Sequence, residues 1–149
     1  MTSGGHERSG QSLDERLAAV LEDIVSIQQE EDGALTVRHE ETIASLRVVT
    51  ISEGLEMVSL TQILAWDLPV DSKIRNQVAR HARNTLLGTV SLVEKSAGAK
   101  RNSKKAGDVL LRYNFPGAGL ADDALRTLIL LVLGTGADIR RDLTAQPGE

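Results

Sequence analysis

The sequence predicts an α+β fold: one domain with an antiparallel sheet and three helices, in the order helix, three or four strands, helix, two strands, helix. Three observations carry this. Apolar residues recur at helical spacing in three well-separated segments. Alternating, β-branched runs fall between them in consecutive groups, without a βαβ alternation. The chain has 149 residues, which fits one domain and can bury a core.

The first eleven residues, MTSGGHERSGQ, read as a disordered tail. Ser12 then opens a helix, because SLDE places Glu15 three residues after it in the capping-box pattern. Leu13, Leu17, Val20, Leu21 and Ile24 form its apolar stripe. A short strand over Val25–Gln29 ends at QQEEDG, where Asp32-Gly33 signals a hairpin turn. Ala34–His39 alternates, with Leu35 and Val37 on one face. Ile43–Ile51 is rich in β-branched residues, and Ser52-Glu53-Gly54 breaks it. Leu55–Trp66 resumes the β pattern, with Val58, Leu60, Leu64 and Trp66 on one face. Pro69 is expected to end this run, since proline cannot donate to a ladder.

Asp71 or Ser72 caps a second helix, roughly Ser72–Asn84, with Ile74, Val78 and Ala82 as its buried stripe. Leu86–Glu94 reads as a strand and pairs with Asp108–Phe115 in a hairpin. In that last strand Val109, Leu111, Tyr113 and Phe115 share a face, opposite Leu110, Arg112 and Asn114. Residues 95–107 form a flexible basic loop between the two strands. Pro116-Gly117 turns the chain, and Asp122 and Asp123 sit where a helix N-terminus favours negative charge. The last helix runs to about Leu143 on the stripe Leu125, Leu128, Ile129, Val132, Gly136, Ile139 and Leu143. Leu130, Leu131 and Leu133 add apolar surface off that stripe, so the helix is expected to be nearly surrounded by protein. The domain thus covers 12–143, and 144–149 is a tail.

Composition narrows the chemistry. Aromatic residues make up 2% of the chain, so Leu, Val, Ile and Ala must build the core and stacking platforms for single-stranded nucleic acid are disfavoured. There is no cysteine, which excludes disulfides, thiol catalysis and cysteine-bound zinc. The N-terminus lacks the basic start and apolar run of a signal peptide, and the longest apolar run, Leu128–Leu133, is too short to span a bilayer. A cytoplasmic location and no membrane partner are expected.

His6, His39 and His81 show no metal-ligand spacing, so no metal site is expected. There is no GxSxG elbow and no catalytic cluster, so no catalytic residue, cofactor or enzymatic activity is expected. Leu133–Ala137, LGTGA, lacks the third glycine of a dinucleotide loop and follows a helical run, so Gly134 and Gly136 read as a close helix approach. Charge is uneven: Asp71 to Lys105 holds nine basic and two acidic residues in a chain of net charge −4. Lys100, Arg101, Lys104 and Lys105 would be the contacts of an alternative function, a regulatory domain binding a small anion or nucleic acid through residues 71–105. No aromatic residue interleaves them, and nucleic acid is not the expected partner.

The element order resembles the type III secretion chaperone-like fold, which includes class I secretion chaperones and the bacterial YbjN-like family. The resemblance is carried by ILAWDLP leading into the central helix, then RNTLLGTVSLVE, then DVLLRYNFPGAGLADDALRTLILLVL, with Gly88, Tyr113, Phe115, Pro116, Asp122 and Asp123 at the family's turn and helix-start positions. The basic hairpin tip is longer than the family's. The resemblance implies a non-enzymatic, chaperone-like or adaptor domain that binds a protein client as a homodimer. The central helix and second hairpin are then the expected self-association surface. Leu17 and Leu21 on the first helix, with Val58 and Leu60 on the sheet, are the expected client contacts.

Overall fold

The computed structural model describes residues 11–95 and 105–145. The elements are α1 (Leu13–Leu21), β1 (Ser26–Gln29), β2 (Leu35–His39), β3 (Thr42–Ser52), β4 (Leu55–Pro69), α2 (Ser72–Asn84), β5 (Thr89–Lys95), β6 (Ala106–Phe115) and α3 (Asp122–Thr144). This is the predicted α+β order, with four strands in the first group. They form one six-stranded sheet in the order β1-β2-β3-β4-β6-β5, with every neighbouring pair antiparallel. The chain therefore leaves β4 through α2, starts β5 at the sheet edge, and returns along β6 into the gap.

Local chemistry sets the element ends. Ser12 Oγ accepts from Glu15 N–H while Glu15 Oε1 accepts from Ser12 N–H, the full capping box. Asp71 Oδ1 accepts from Ile74 N–H at 2.8 Å and starts α2. Gly33 and Gly54 take left-handed φ values of 92° and 81° at the β1–β2 and β3–β4 turns. At the β2–β3 turn the same region is occupied by Glu40 (φ 44°) and Glu41 (φ 67°), which carry a Cβ and are strained there. Thr42 Oγ1 donates to His39 C=O at 2.6 Å, and Glu40 pairs with Arg141 on α3 at 2.7 Å, which holds the turn.

One sheet face is buried. Leu35, Leu46 and Leu60 share one cross-strand row; Val37, Ala44, Gln62, Leu111 and Val90 share the next. All are buried, and α1 and α3 lie over them. α2 rests on β5 at the side of α3, tied to β5 by a two-bond Arg75–Glu94 ion pair and to α3 by Arg80 and His81 on Asp142. Arg16, itself buried, donates to Asp122 and to the Ala118 and Leu120 carbonyls, so α1 clasps the turn that leads into α3.

A polar lock fixes α3 to the sheet. Gln62 is fully buried on the core face of β4, and its Nε2 donates to Thr42 Oγ1 at 2.9 Å and to the Leu133 carbonyl at 3.1 Å. Its Oε1 has no hydrogen-bond partner and lies against Gly136, where an added Cβ would stand 2.0 Å away. Gly136 is therefore a close helix approach, as LGTGA suggested, whereas Gly134 faces open space.

Four expectations are corrected. β4 runs on to Pro69, which pairs with Ala106 at the strand end, where a missing N–H is tolerated. β5 begins at Thr89, leaving Leu86 93% exposed in the preceding loop. Ala82 is exposed, because α2 touches its neighbours mainly through Ile74 and Val78. α3 is covered by the sheet and flanked by α1 and α2, and Leu131 is exposed on its outer side. Residues 1–10, 96–104 and 146–149 lie outside the described residues, with most of both expected tails; of the expected basic loop 95–107, Lys95 ends β5 and Ala106 and Gly107 open β6, where they pair across the hairpin.

Two substitutions test this reading. Gly136→Ala should lower stability by about 1–3 kcal/mol in urea denaturation, since a pinned amide must move. Gln62→Ala in the same chain should recover part of that loss. Glu41→Gly should raise stability by about 1 kcal/mol by relieving left-handed strain while keeping the Glu40–Arg141 pair.

Candidate functional site: the uncovered face of the sheet

Leu17, Leu21, Val58 and Leu60, the expected client contacts, are all within 1% of full burial. They are core residues at the α1–sheet–α3 junction, so a partner cannot reach them without unfolding the domain. Their spacing marked an apolar stripe, and such a stripe is the same whether the domain's own helices or a partner cover it. Of the expected anion contacts, Lys105 is exposed just before β6, with its carbonyl accepting from Val70 N–H. Lys100, Arg101 and Lys104 lie outside the described residues.

The surface left open is the second face of the sheet. With α1, α2 and α3 on the core side, no helix covers it. Its side chains fall in rows set by the strand register. One row is Arg38, Ile43, Ile63, Leu110 and Ser91 from β2, β3, β4, β6 and β5. The adjacent row is Thr36, Ser45, Thr61, Arg112 and Thr89. Beyond Ile63 the ladder shifts register twice, between Ile63 and Ala65 and between Ala65 and Leu68. Leu64 and Ala65 both face the core as a result, and Trp66 turns outward. Trp66 was expected on the face of Val58 and Leu60; it is instead 59% exposed on the opposite one. The reason is the bulge, which adds a residue and reverses the alternation.

Asp67 completes the bulge in a left-handed conformation (φ 51°). Its N–H donates to Asp108 Oδ1 at 2.9 Å. Lys95, at the end of β5, bridges both carboxylates, 2.5 Å from Asp67 and 3.0 Å from Asp108. The Asp67 N–H and the Lys95 ammonium hold the Asp108 carboxyl below its ordinary value. The two carboxylates raise the Lys95 pKa in turn, Asp67 most. This clamp joins β4, β6 and β5 beneath Trp66, and Val93, paired with Asp108, stands exposed beside it.

The result is an apolar patch at one end of the open face. Ile43, Ile63 and Leu110 are half-buried at its centre, and Trp66 and Val93 project at its margin. β5 borders it as an edge strand, and among the described residues its outer side forms no backbone hydrogen bonds to another element. A flat face of this kind can bind by contact and desolvation. Among the described residues no three His, Asp or Glu side chains are grouped to hold a metal ion, and no helix is long and apolar enough to cross a membrane. The sequence matches no protein-family model and none of the curated proteins.

Because the folded Asp108 pKa is depressed, its contribution to stability is complete above the unfolded carboxylate value and is lost as pH falls through the folded one. The stability advantage of the native chain over Asp108→Asn should therefore be constant near neutrality and shrink below about pH 3.8. Urea denaturation of both proteins across that range measures it.

Proposed function

We propose that this domain is a non-enzymatic protein-binding module of the chaperone-like or adaptor kind, acting as a homodimer in the bacterial cytoplasm. The observation that carries the reading is the uncovered apolar patch of Ile43, Ile63, Trp66, Val93 and Leu110 beside the free β5 edge. Contiguous exposed apolar surface of this sort is a common mark of a protein interface. Tryptophan is enriched among the residues that carry binding energy.

The element order also supports it. A leading helix, a run of strands, a central helix, a two-strand hairpin and a last helix are what the secretion chaperone-like and YbjN-like resemblance implies, here with four strands in the first run. Client contact then moves from the core residues Leu17, Leu21, Val58 and Leu60 to the open face. Self-association is assigned to the β5 edge with α2, which leaves the patch free for the client.

The alternative, an anion or nucleic-acid site on residues 71–105, has less behind it. Arg75, Arg80 and Lys95 are engaged with Glu94, Asp142, Asp67 and Asp108 within the chain.

Trp66→Ala and the uncharged Val93→Gln should leave the unfolding transition nearly unchanged, since Trp66 is largely and Val93 about half exposed and neither change adds charge beside Asp108. Each should weaken retention of a protein partner by roughly thirtyfold, the scale of losing one central anchor. Capture from host lysate at moderate salt, quantified for native and variant proteins, reads this directly. Retention that ignores both substitutions places the partner elsewhere, and no retained protein at all removes the reading.

A further inference from the structure

The open face carries a charge pattern as well as an apolar one. Arg38 ends the Ile43–Ile63–Leu110 row, and Arg112 stands in the next row beside Leu110. Neither arginine forms an ion pair or hydrogen bond with another described residue. Of the carboxylates on this face, Asp67 and Asp108 are engaged with Lys95 and Asp32 with Arg47, and Glu30 accepts from Thr36 Oγ1. This face thus presents two arginines with no ion-pair partner among the described residues, on a chain of net charge −4.

We propose that the occupant of this face is an acidic amphipathic helix of a partner protein, an inference that rests on the protein-binding reading above. Ile43, Ile63, Leu110 and Trp66 take its apolar side, and Arg38 and Arg112 pair with its Asp or Glu side chains. The helix follows from backbone chemistry. A sheet presents free N–H and C=O groups at its edges and none on its face, so a segment lying on the face must satisfy its own. A helix does this, and its apolar residues one turn apart, about 5.4 Å, are close to the strand spacing of about 4.8 Å.

The other occupants fit less well. Residues 1–10, 96–104 and 146–149 contain no Leu, Ile, Val or aromatic residue, so none of these segments has an apolar stripe to lay on the patch. A second copy packed face to face would oppose four arginines without ion-pair partners among the described residues, with only Glu30 of each copy, already accepting from Thr36 Oγ1, to meet them. Nucleic acid would leave Ile43, Ile63 and Leu110 without apolar partners, and the face offers a single exposed aromatic ring for stacking.

Three designed peptides test this on the full-length chain. Two share one Leu/Ala helical stripe and differ in flanking residues, Glu in one and Lys in the other. The third is the Glu peptide interrupted by proline. Trp66 is the chain's only tryptophan, so its emission reports the patch directly. The Glu peptide should shift that emission to the blue and bind about fivefold tighter than the Lys peptide at moderate salt. An Arg38→Ala/Arg112→Ala variant with an unchanged circular dichroism spectrum should lose the preference.

Equal affinity for the Glu and Lys peptides, or undiminished binding of the proline peptide, overturns the proposal. So does a saturable shift with single-stranded DNA, or one that follows protein concentration alone, since these assign the face to nucleic acid or a second copy. If neither charged peptide binds while Trp66-dependent capture persists, the acidic helix is wrong and the protein-binding reading stands. If both fail, both readings fall.

Discussion

Six strands present two faces, and the three helices of this chain all lie on one of them. Much else follows from that asymmetry. The covered face is mainly aliphatic, because aromatic residues are scarce: Leu, Val and Ala fill most of it in register across the sheet, with Gln62, Tyr113 and Phe115 among them. The uncovered face must tolerate water, which its Ser, Thr and Arg side chains do over most of its area. Where apolar residues persist on it, around Ile63 and Leu110 and again at Val49 and Met57, no described element is placed to cover them.

The helix layer is held by a few polar contacts at its seams. Gln62 anchors α3 from below, Arg16 joins α1 to the start of α3, and Asp142 receives both Arg80 and His81 from α2. Each joins elements far apart in sequence. Apolar packing supplies most of the adhesion and is indifferent to small shifts; these contacts specify one register. Gly136 belongs with them, since α3 can seat on Gln62 only where a residue has no Cβ.

At the patch, stability and display are coupled. The Asp67–Asp108–Lys95 clamp ties three strands together at the point where the β4 bulge turns Trp66 outward. An indole has only two side-chain torsions to lose on binding, which favours it as an anchor. Arg38 and Arg112 lie in the neighbouring rows, set there by the pairing of β2 with β3 and of β4 with β6. The same ladder that builds the sheet therefore arranges apolar and cationic side chains side by side.

Local signals in the sequence determined the element types, the capping of α1 and α2, the Asp32-Gly33 turn, the faces of β2 and β6, and the glycine contact of α3. Each rests on a short-range period or a cap, and such signals survive without knowledge of neighbours. Tertiary structure alone decided which apolar stripe would be core and which surface. Leu17, Leu21, Val58 and Leu60 carry the same pattern in either role, and only the placement of all three helices on one side assigns them to the interior. Trp66 changed face for a related reason: a bulge depends on the partner strand's register, and strict alternation within β4 cannot reveal it. That Arg38 and Arg112 have no ion-pair partner among the described residues is likewise a property of the assembled sheet, because strand pairing decides which charges can meet.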